Sequence, residues 1–214
     1  MPESLLNRVP VIPVVVVDDV DHAVPIARAL VAGGLPVIEL TLRTPVALVA
    51  IERIAGEVPE AFLGAGTIVD PGQAKQAASA GAQFLVSPGS TRTLLDAMTD
   101  TGLPHLPGVA TVSEILTALE AGYTELKFFP AEAAGGADYL KSVSSPIPAA
   151  RFCPTGGIST ANAATYLALP NVGCVSAATL SFGGLRIGTG SGLSGSSSKN
   201  WRIGTCWASS FMIS

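Results

Sequence analysis

Short apolar runs recur along the chain, and the stretches between them keep a different rhythm. Runs at 11–17, 36–42, 62–68, 84–88, 105–109, 125–130, 151–155 and 172–176 are bounded by Gly, Pro, Asp or Ser, and they have the length of buried strands. Between them apolar residues return every three or four positions, as in Ala23, Ile26, Ala27, Leu30 and Val31, or Val112, Ile115, Leu116 and Leu119. That spacing marks one face of a helix. Thr111 stands three residues before Glu114, as a capping box requires, and Gly33-Gly34, Gly81, Gly102 and Gly122 stand where left-handed C-caps are needed. Strand and helix alternating eight times, at intervals of roughly 20 to 26 residues, predict a parallel sheet closed on itself. The expected fold is α/β, a single (β/α)8 TIM barrel domain over 1–214. A doubly wound open sheet would use the same elements, but Val15-Val16-Val17-Asp18-Asp19 follows the first run where a Gly-x-Gly-x-x-Gly turn belongs.

The pattern fades at the C-terminal end. Segment 171–214 holds 8 Gly and 10 Ser, and no Asp or Glu follows Asp138, so no amphipathic eighth helix is predicted there. Residues 188–198 read as a low-complexity stretch unable to bury enough apolar area to order itself. Trp201, Trp207, Phe211 and Met212 nevertheless lie beyond it. A reading-frame or sequence-determination error beginning near Ser176 is the favoured explanation, and a divergent terminus is the other.

The formal charge of -4, with no Lys/Arg cluster, leaves no electrostatic footprint for nucleic acid or an anionic membrane. A small-molecule ligand is expected instead. The longest apolar stretch, 9–17, is too short to span a bilayer, and the N-terminus lacks a basic leader, so a cytoplasmic location is expected. Cys153, Cys174 and Cys206 match no zinc spacing and read as reduced core thiols. His22 and His105 read as structural imidazoles. No metal ligand set is visible, and no cofactor is expected.

The candidate chemistry starts at Lys127, inside the apolar run Glu125-Leu126-Lys127-Phe128-Phe129-Pro130. A lysine buried beside Phe128 and Phe129 loses solvation, which lowers its pKa by up to ~3 to 5 units and leaves a nucleophilic amine. That placement suggests carbonyl chemistry through a Schiff base. In the second strand, period-two alternation sends Glu39, Thr41 and Arg43 to one face, with Leu40 and Leu42 on the other. Even-numbered barrel strands share layers, so Glu39 and Lys127 can meet across the mouth. An interior salt bridge is the bland reading of that pair. Its desolvation cost favours function, with Glu39 as proton carrier, Lys127 as nucleophile and Arg43 as a fork for a substrate carboxylate. Thr67 ends the third strand at the same level. Gly156 and Gly157 follow the seventh strand, where barrels often hold phosphate on backbone amides. Ser87-Pro88-Gly89 lacks the Gly-x-Ser-x-Gly elbow, so serine hydrolysis has no support. Two other readings stay open: a phosphosugar epimerase using Lys and Glu as an acid/base pair, and a non-catalytic phospho-ligand binder.

Six blocks together resemble the 2-keto-3-deoxy-6-phosphogluconate (KDPG) aldolase and 4-hydroxy-2-oxoglutarate aldolase family. They are Val37-Ile38-Glu39-Leu40-Thr41-Leu42-Arg43, Gly64-Ala65-Gly66-Thr67, Ser87-Pro88-Gly89, Leu106-Pro107-Gly108-Val109, Lys127-Phe128-Phe129-Pro130-Ala131-Glu132 and Phe152-Cys153-Pro154-Thr155-Gly156-Gly157-Ile158. The resemblance implies a class I aldolase on a (β/α)8 barrel, usually a homotrimer, that cleaves KDPG to pyruvate and glyceraldehyde 3-phosphate in the Entner-Doudoroff pathway. It also implies activity on 4-hydroxy-2-oxoglutarate. Lys127 is then the Schiff-base lysine and Glu39 the acid/base, while Arg43 and Thr67 hold the pyruvoyl carboxylate. Pro88 and Phe129 wall the pocket, Gly156 and Gly157 donate amides to the phosphate, and Ser176 stands in the second half of the phosphate cradle. There the chain departs from the family's Gly-Gly-Ser or Gly-Gly-Thr, with Ser176-Ala177-Ala178-Thr179. Val16 stands where some relatives place an arginine. Both departures point to weaker phosphate binding rather than lost bond cleavage.

Overall fold

The structure, a computed structural model, describes residues 4–177. Its strands are β1 Val11–Val15, β2 Val37–Thr41, β3 Phe62–Gly66, β4 Phe84–Val86, β5 His105–Leu106, β6 Gly108–Val109, β7 Glu125–Phe128, β8 Arg151–Pro154 and β9 Val175–Ala177. Its helices are α1 Ala23–Ala32, α2 Ala47–Glu57, α3 Pro71–Ser79, α4 Arg92–Thr99, α5 Val112–Glu120, α6 Gly136–Ser144 and α7 Ala163–Leu167. The expected Thr111 and Glu114 capping box opens α5, and a second one, from Asp70 and Gln73 with Pro71 in the first turn, opens α3. Left-handed glycines follow α1, α3, α4 and α5 at 34, 81, 102 and 122, whereas Gly33 keeps φ -83.

All strand pairs are parallel, but they do not form the one closed eight-stranded TIM barrel expected from the sequence. A six-stranded sheet runs β5-β4-β3-β2-β1-β9, and a separate three-stranded sheet runs β6-β7-β8. One seam lies at Pro107, which has no N–H to contribute to a ladder. The predicted fifth strand breaks there: Leu106 pairs with Val86 of β4, whereas Gly108 pairs with Lys127 of β7. At the other seam, β8 and β9 are joined only by the isolated bridges Phe152 to Val172 and Thr155 to Ser176. The intervening Gly173 is pressed against the N-terminal segment, where a Cβ would come within 2.6 Å of Leu6 Cβ. The expectations about an eighth helix, the low-complexity 188–198 stretch, its aromatic residues and Cys206 fall outside the described residues.

Three apolar clusters hold these layers together. One packs the outward residues of β1 to β4, including Ile38, Leu40, Leu63 and Leu85, against α1 to α4. A second packs Val109, Leu126, Phe128 and Phe152 against α5, α6 and α7. The third lines the inner faces with Ile12, Val37, Phe84, Val86, Leu106, Cys153 and Cys174, and it is plugged from below by Leu5 and Leu6. Cys153 and Cys174 are buried free thiols, as expected. The plug is held by Glu125, whose carboxylate accepts from Ser4 Oγ and from the amides of Leu5 at 3.1 Å and Leu6 at 3.4 Å. Among the described residues, no helix is long and apolar enough to cross a membrane.

Candidate active site

The inner faces of β2 and β7 carry the only close charge pair buried inside the fold among the described residues. In β2 the pleat turns Ile38 and Leu40 outward and leaves Val37, Glu39 and Thr41 inward. In β7 it turns Leu126 and Phe128 outward and leaves Lys127 inward. Lys127 Nζ donates to Glu39 Oε1 at 3.1 Å, and the two residues are 3% and 2% exposed. The predicted meeting of these side chains is therefore present. Taking both charges out of water costs several kcal/mol per ion; packing gains nothing there that Val or Ile would not supply.

The surroundings of the amine differ from the sequence expectation. Phe128 points away from it, stacking on Tyr139 at 5.2 Å and meeting Phe152 edge-on at 6.4 Å, because neighbouring strand residues face opposite sides. Phe129 alone approaches, with its ring centroid 5.5 Å from Lys127 Nζ. The amine's nearest partner is thus a carboxylate rather than a ring.

Gly66 forms the floor beneath that carboxylate. A Cβ at this position would lie 2.1 Å from Glu39 Oε1 and 2.6 Å from its Cγ, so β3 must be bare for Glu39 to lie across it. The sequence signal was available: a glycine inside a strand often marks close approach. Ser176, 1% exposed, borders the same carboxylate. Its hydroxyl donates to the Ile12 carbonyl at 3.1 Å and lies 3.5 Å from Glu39 Oε2.

Arg43 lies in the turn beyond β2, so strand alternation does not set its direction as expected. It reaches Thr67 through the turn instead, with Nε donating to Thr67 Oγ1 at 3.1 Å while its guanidinium stays exposed. Thr67 has φ 60, a left-handed conformation that costs a β-branched residue about 1–3 kcal/mol. Two threonines tie this corner to β1 and the residues just after it: Thr41, on the inward face that the alternation predicts, and Thr44, which the sequence did not single out. Thr41 Oγ1 donates to the Val15 carbonyl at 3.3 Å and Thr44 Oγ1 to the Val17 carbonyl at 2.6 Å.

Pro88 and Phe129 are half-buried. The Pro88 loop lies flat on Gly108, where a Cβ would meet the Pro88 carbonyl carbon at 2.2 Å, and Ser90 Oγ clamps the Gly108 carbonyl at 2.8 Å. Gly156 and Gly157 have φ 98 and 81, which only glycine adopts without strain. His105 is only half satisfied: Nδ1 donates to the Leu103 carbonyl at 3.3 Å and the ring tilts onto Tyr123 at 4.6 Å, while its buried Nε2 has no hydrogen-bond partner among the described residues. Among the described residues, no three His, Cys, Asp or Glu side chains gather in a metal-ligating group.

Comparison with known proteins follows the same residues. A family model described as KDPG and KHG aldolase matches residues 3–185. KHG/KDPG aldolase of Escherichia coli (strain K12) is 53% identical over 173 residues, 81% of this chain and 81% of that protein. The structure of KDPG aldolase from Legionella pneumophila, with pyruvate captured at low pH as a covalent carbinolamine intermediate, has a TM-score of 0.79 and 49% identity. The match covers 81% of this chain and 84% of that one. The 2-keto-3-deoxy-6-phosphogluconate aldolase of Zymomonas mobilis ZM4 with 3-phosphoglycerate gives 0.78 and 46%, over 81% and 83% of the two chains. A buried lysine and glutamate, in a sequence about half identical to these enzymes over four-fifths of its length, leave one assignment: this chain belongs to the KDPG and KHG aldolase family.

Proposed function

We infer that the chain is a class I aldolase, a carbon–carbon lyase that cleaves KDPG to pyruvate and glyceraldehyde 3-phosphate through a Schiff base. The observation that carries this reading is the buried contact of Lys127 Nζ with Glu39 Oε1 at 3.1 Å. A relative's covalent chemistry supports it, since the Legionella pneumophila enzyme holds pyruvate as a covalent carbinolamine intermediate. The phosphosugar epimerase alternative is not retained, because the family is one of aldolases.

In this reading Lys127 attacks C2 of the keto acid after passing a proton to Glu39, the acceptor within reach. Glu39 then gives that proton to the departing hydroxyl, so that loss of water from the carbinolamine leaves an iminium and returns Glu39 to its carboxylate form. That cation withdraws electrons, so the C3–C4 bond breaks to an enamine as Glu39 helps remove the C4 hydroxyl proton and the aldehyde leaves. Reprotonation at C3 and hydrolysis release pyruvate and restore the amine. Arg43 and Thr67, already hydrogen-bonded to each other, are suited to a carboxylate, since a guanidinium and a hydroxyl both donate. Pro88 and Phe129 wall the pocket, Gly156 and Gly157 take the phosphate, and Ser176 stands in the second half of that phosphate cradle. Cleavage of 4-hydroxy-2-oxoglutarate to pyruvate and glyoxylate, a cytoplasmic location and a homotrimeric assembly belong to the same reading. So does a single domain running to 214 with a reading-frame or sequence-determination error beginning near Ser176; the family match ends at 185.

The test is borohydride reduction in the presence of pyruvate, followed by digestion and mass spectrometry. The expected result is one reduced adduct, on the peptide containing Lys127, absent from Lys127→Met. An unmodified Lys127 peptide, or an adduct on Lys75 or Lys141, overturns the assignment.

A further inference from the structure

Three consecutive carbonyls after β8 are each held by a different donor. Thr155 O accepts from the Ala131 amide at 2.8 Å, Gly156 O from the Glu132 amide at 3.1 Å, and Gly157 O from Asn162 Nδ2 at 3.0 Å. Successive carbonyls of a strand alternate in direction, so two of them can meet the neighbouring amides of Ala131 and Glu132 only because Gly156 is left-handed. A trans peptide sets its N–H antiparallel to its C=O, and Phe129-Pro130 is the one cis bond among the described residues. Fixing the Thr155 and Gly156 carbonyls therefore turns the Gly156 and Gly157 amides away from Ala131 and Glu132, and fixing the Gly157 carbonyl turns the next amide, that of Ile158, away from Asn162.

Glu132 contributes a second contact. Its stem lies against Gly157, where a Cβ would come 2.4 Å from Glu132 Cγ. Tyr166, 1% exposed on α7, donates its hydroxyl to Glu132 Oε1 and so draws the carboxylate towards α7. Burial and that carboxylate raise the phenol's pKa, which keeps the hydroxyl a donor. Asn162 is fixed in turn by the Ser159 amide, which donates to its Oδ1 at 2.8 Å.

We propose that Glu132, Asn162 and Tyr166 are positioning residues that brace the Gly156-Gly157 turn with its amides aimed at the substrate phosphate, and so set the preference for phosphorylated over unphosphorylated keto acids. This rests on the reading that those glycines take the phosphate. The bracing residues touch neither Lys127 nor Glu39 in the hydrogen-bond network, so carbon–carbon cleavage itself is untouched.

The experiment measures kcat and KM with KDPG and with 4-hydroxy-2-oxoglutarate for the parent, Tyr166→Phe, Asn162→Ala, Glu132→Ala and Glu132→Gln, with Gly157→Ala as a direct lesion of the turn. Loss of one hydrogen bond from the brace is expected to raise KM for KDPG by about 2- to 10-fold, with kcat changed less than about twofold and KM for 4-hydroxy-2-oxoglutarate unchanged. Glu132→Gln, which still accepts from Tyr166, is expected to restore most of what Glu132→Ala loses. Equal rises in both KM values across the brace variants mean a general structural role and overturn the proposal. So does an unchanged KM for KDPG where Gly157→Ala raises it. If Gly157→Ala also leaves KM for KDPG unchanged, the phosphate reading of the glycines fails first.

Discussion

Substituting Gly66 with Ala tests how closely the Glu39 carboxylate is held. The new Cβ would sit 2.1 Å from Oε1, 2.6 Å from Cγ and 2.7 Å from Cδ, whereas ordinary contacts begin at 3.4 Å. The carboxylate must therefore retreat by more than an ångström. It cannot retreat into solvent, being 2% exposed, and the move takes it off Lys127. Displacing a reacting group by about 1 Å costs roughly 100-fold in rate, and overpacking of a tight interior costs about 1–3 kcal/mol of stability. Coupled measurement of pyruvate release from KDPG should show kcat reduced by about 100-fold. Urea unfolding should show a smaller midpoint. Borohydride trapping of pyruvate on Lys127 should survive, because the nucleophile itself is intact. A kcat within twofold of the parent, in a protein of normal stability, would refute the claim that Gly66 fixes the acid/base.

Two further outcomes follow from groups away from the chemistry. Burial lowers the pKa of His105, so the unfolded chain binds more protons between the folded value and about 6.5, and stability falls as pH drops through that window. His105→Gln should flatten this acid-side loss in urea midpoints taken between about pH 7 and 5; an unchanged slope would exclude His105 as its source. Glu125→Ala strips the acceptor from the Leu5 and Leu6 amides, and about 1–3 kcal/mol of unfolding free energy should go with them. Turnover of the folded enzyme should be unaffected, and a kcat loss without a stability loss would contradict a plugging role.

What could be read from the chain followed from local repeats. Period two in Val37-Ile38-Glu39-Leu40-Thr41 assigns Glu39 to the inner face, and the same rule assigns Lys127, because a pleat needs no knowledge of its partners. The same rule, applied strictly, would have removed Phe128 from the amine. Helix ends were legible where capping is a matter of three adjacent residues, as at Thr111 and Glu114. Arg43 was not, since alternation stops where the strand stops and β2 ends at Thr41.

By itself, then, the sequence determined where most strands and helices lie, which face a residue inside a strand takes, and which residue types are present for imine chemistry. Only the tertiary structure decided which segments meet. Pro107 reads as one residue inside an apolar run, but its missing N–H makes the strand change partner and leaves two sheets where one was expected. Lys127 finds Glu39 across 88 residues, Gly66 yields the space for that carboxylate, and Glu132, Asn162 and Tyr166 converge on one glycine turn. Those contacts depend on distances between elements, which no local periodicity encodes.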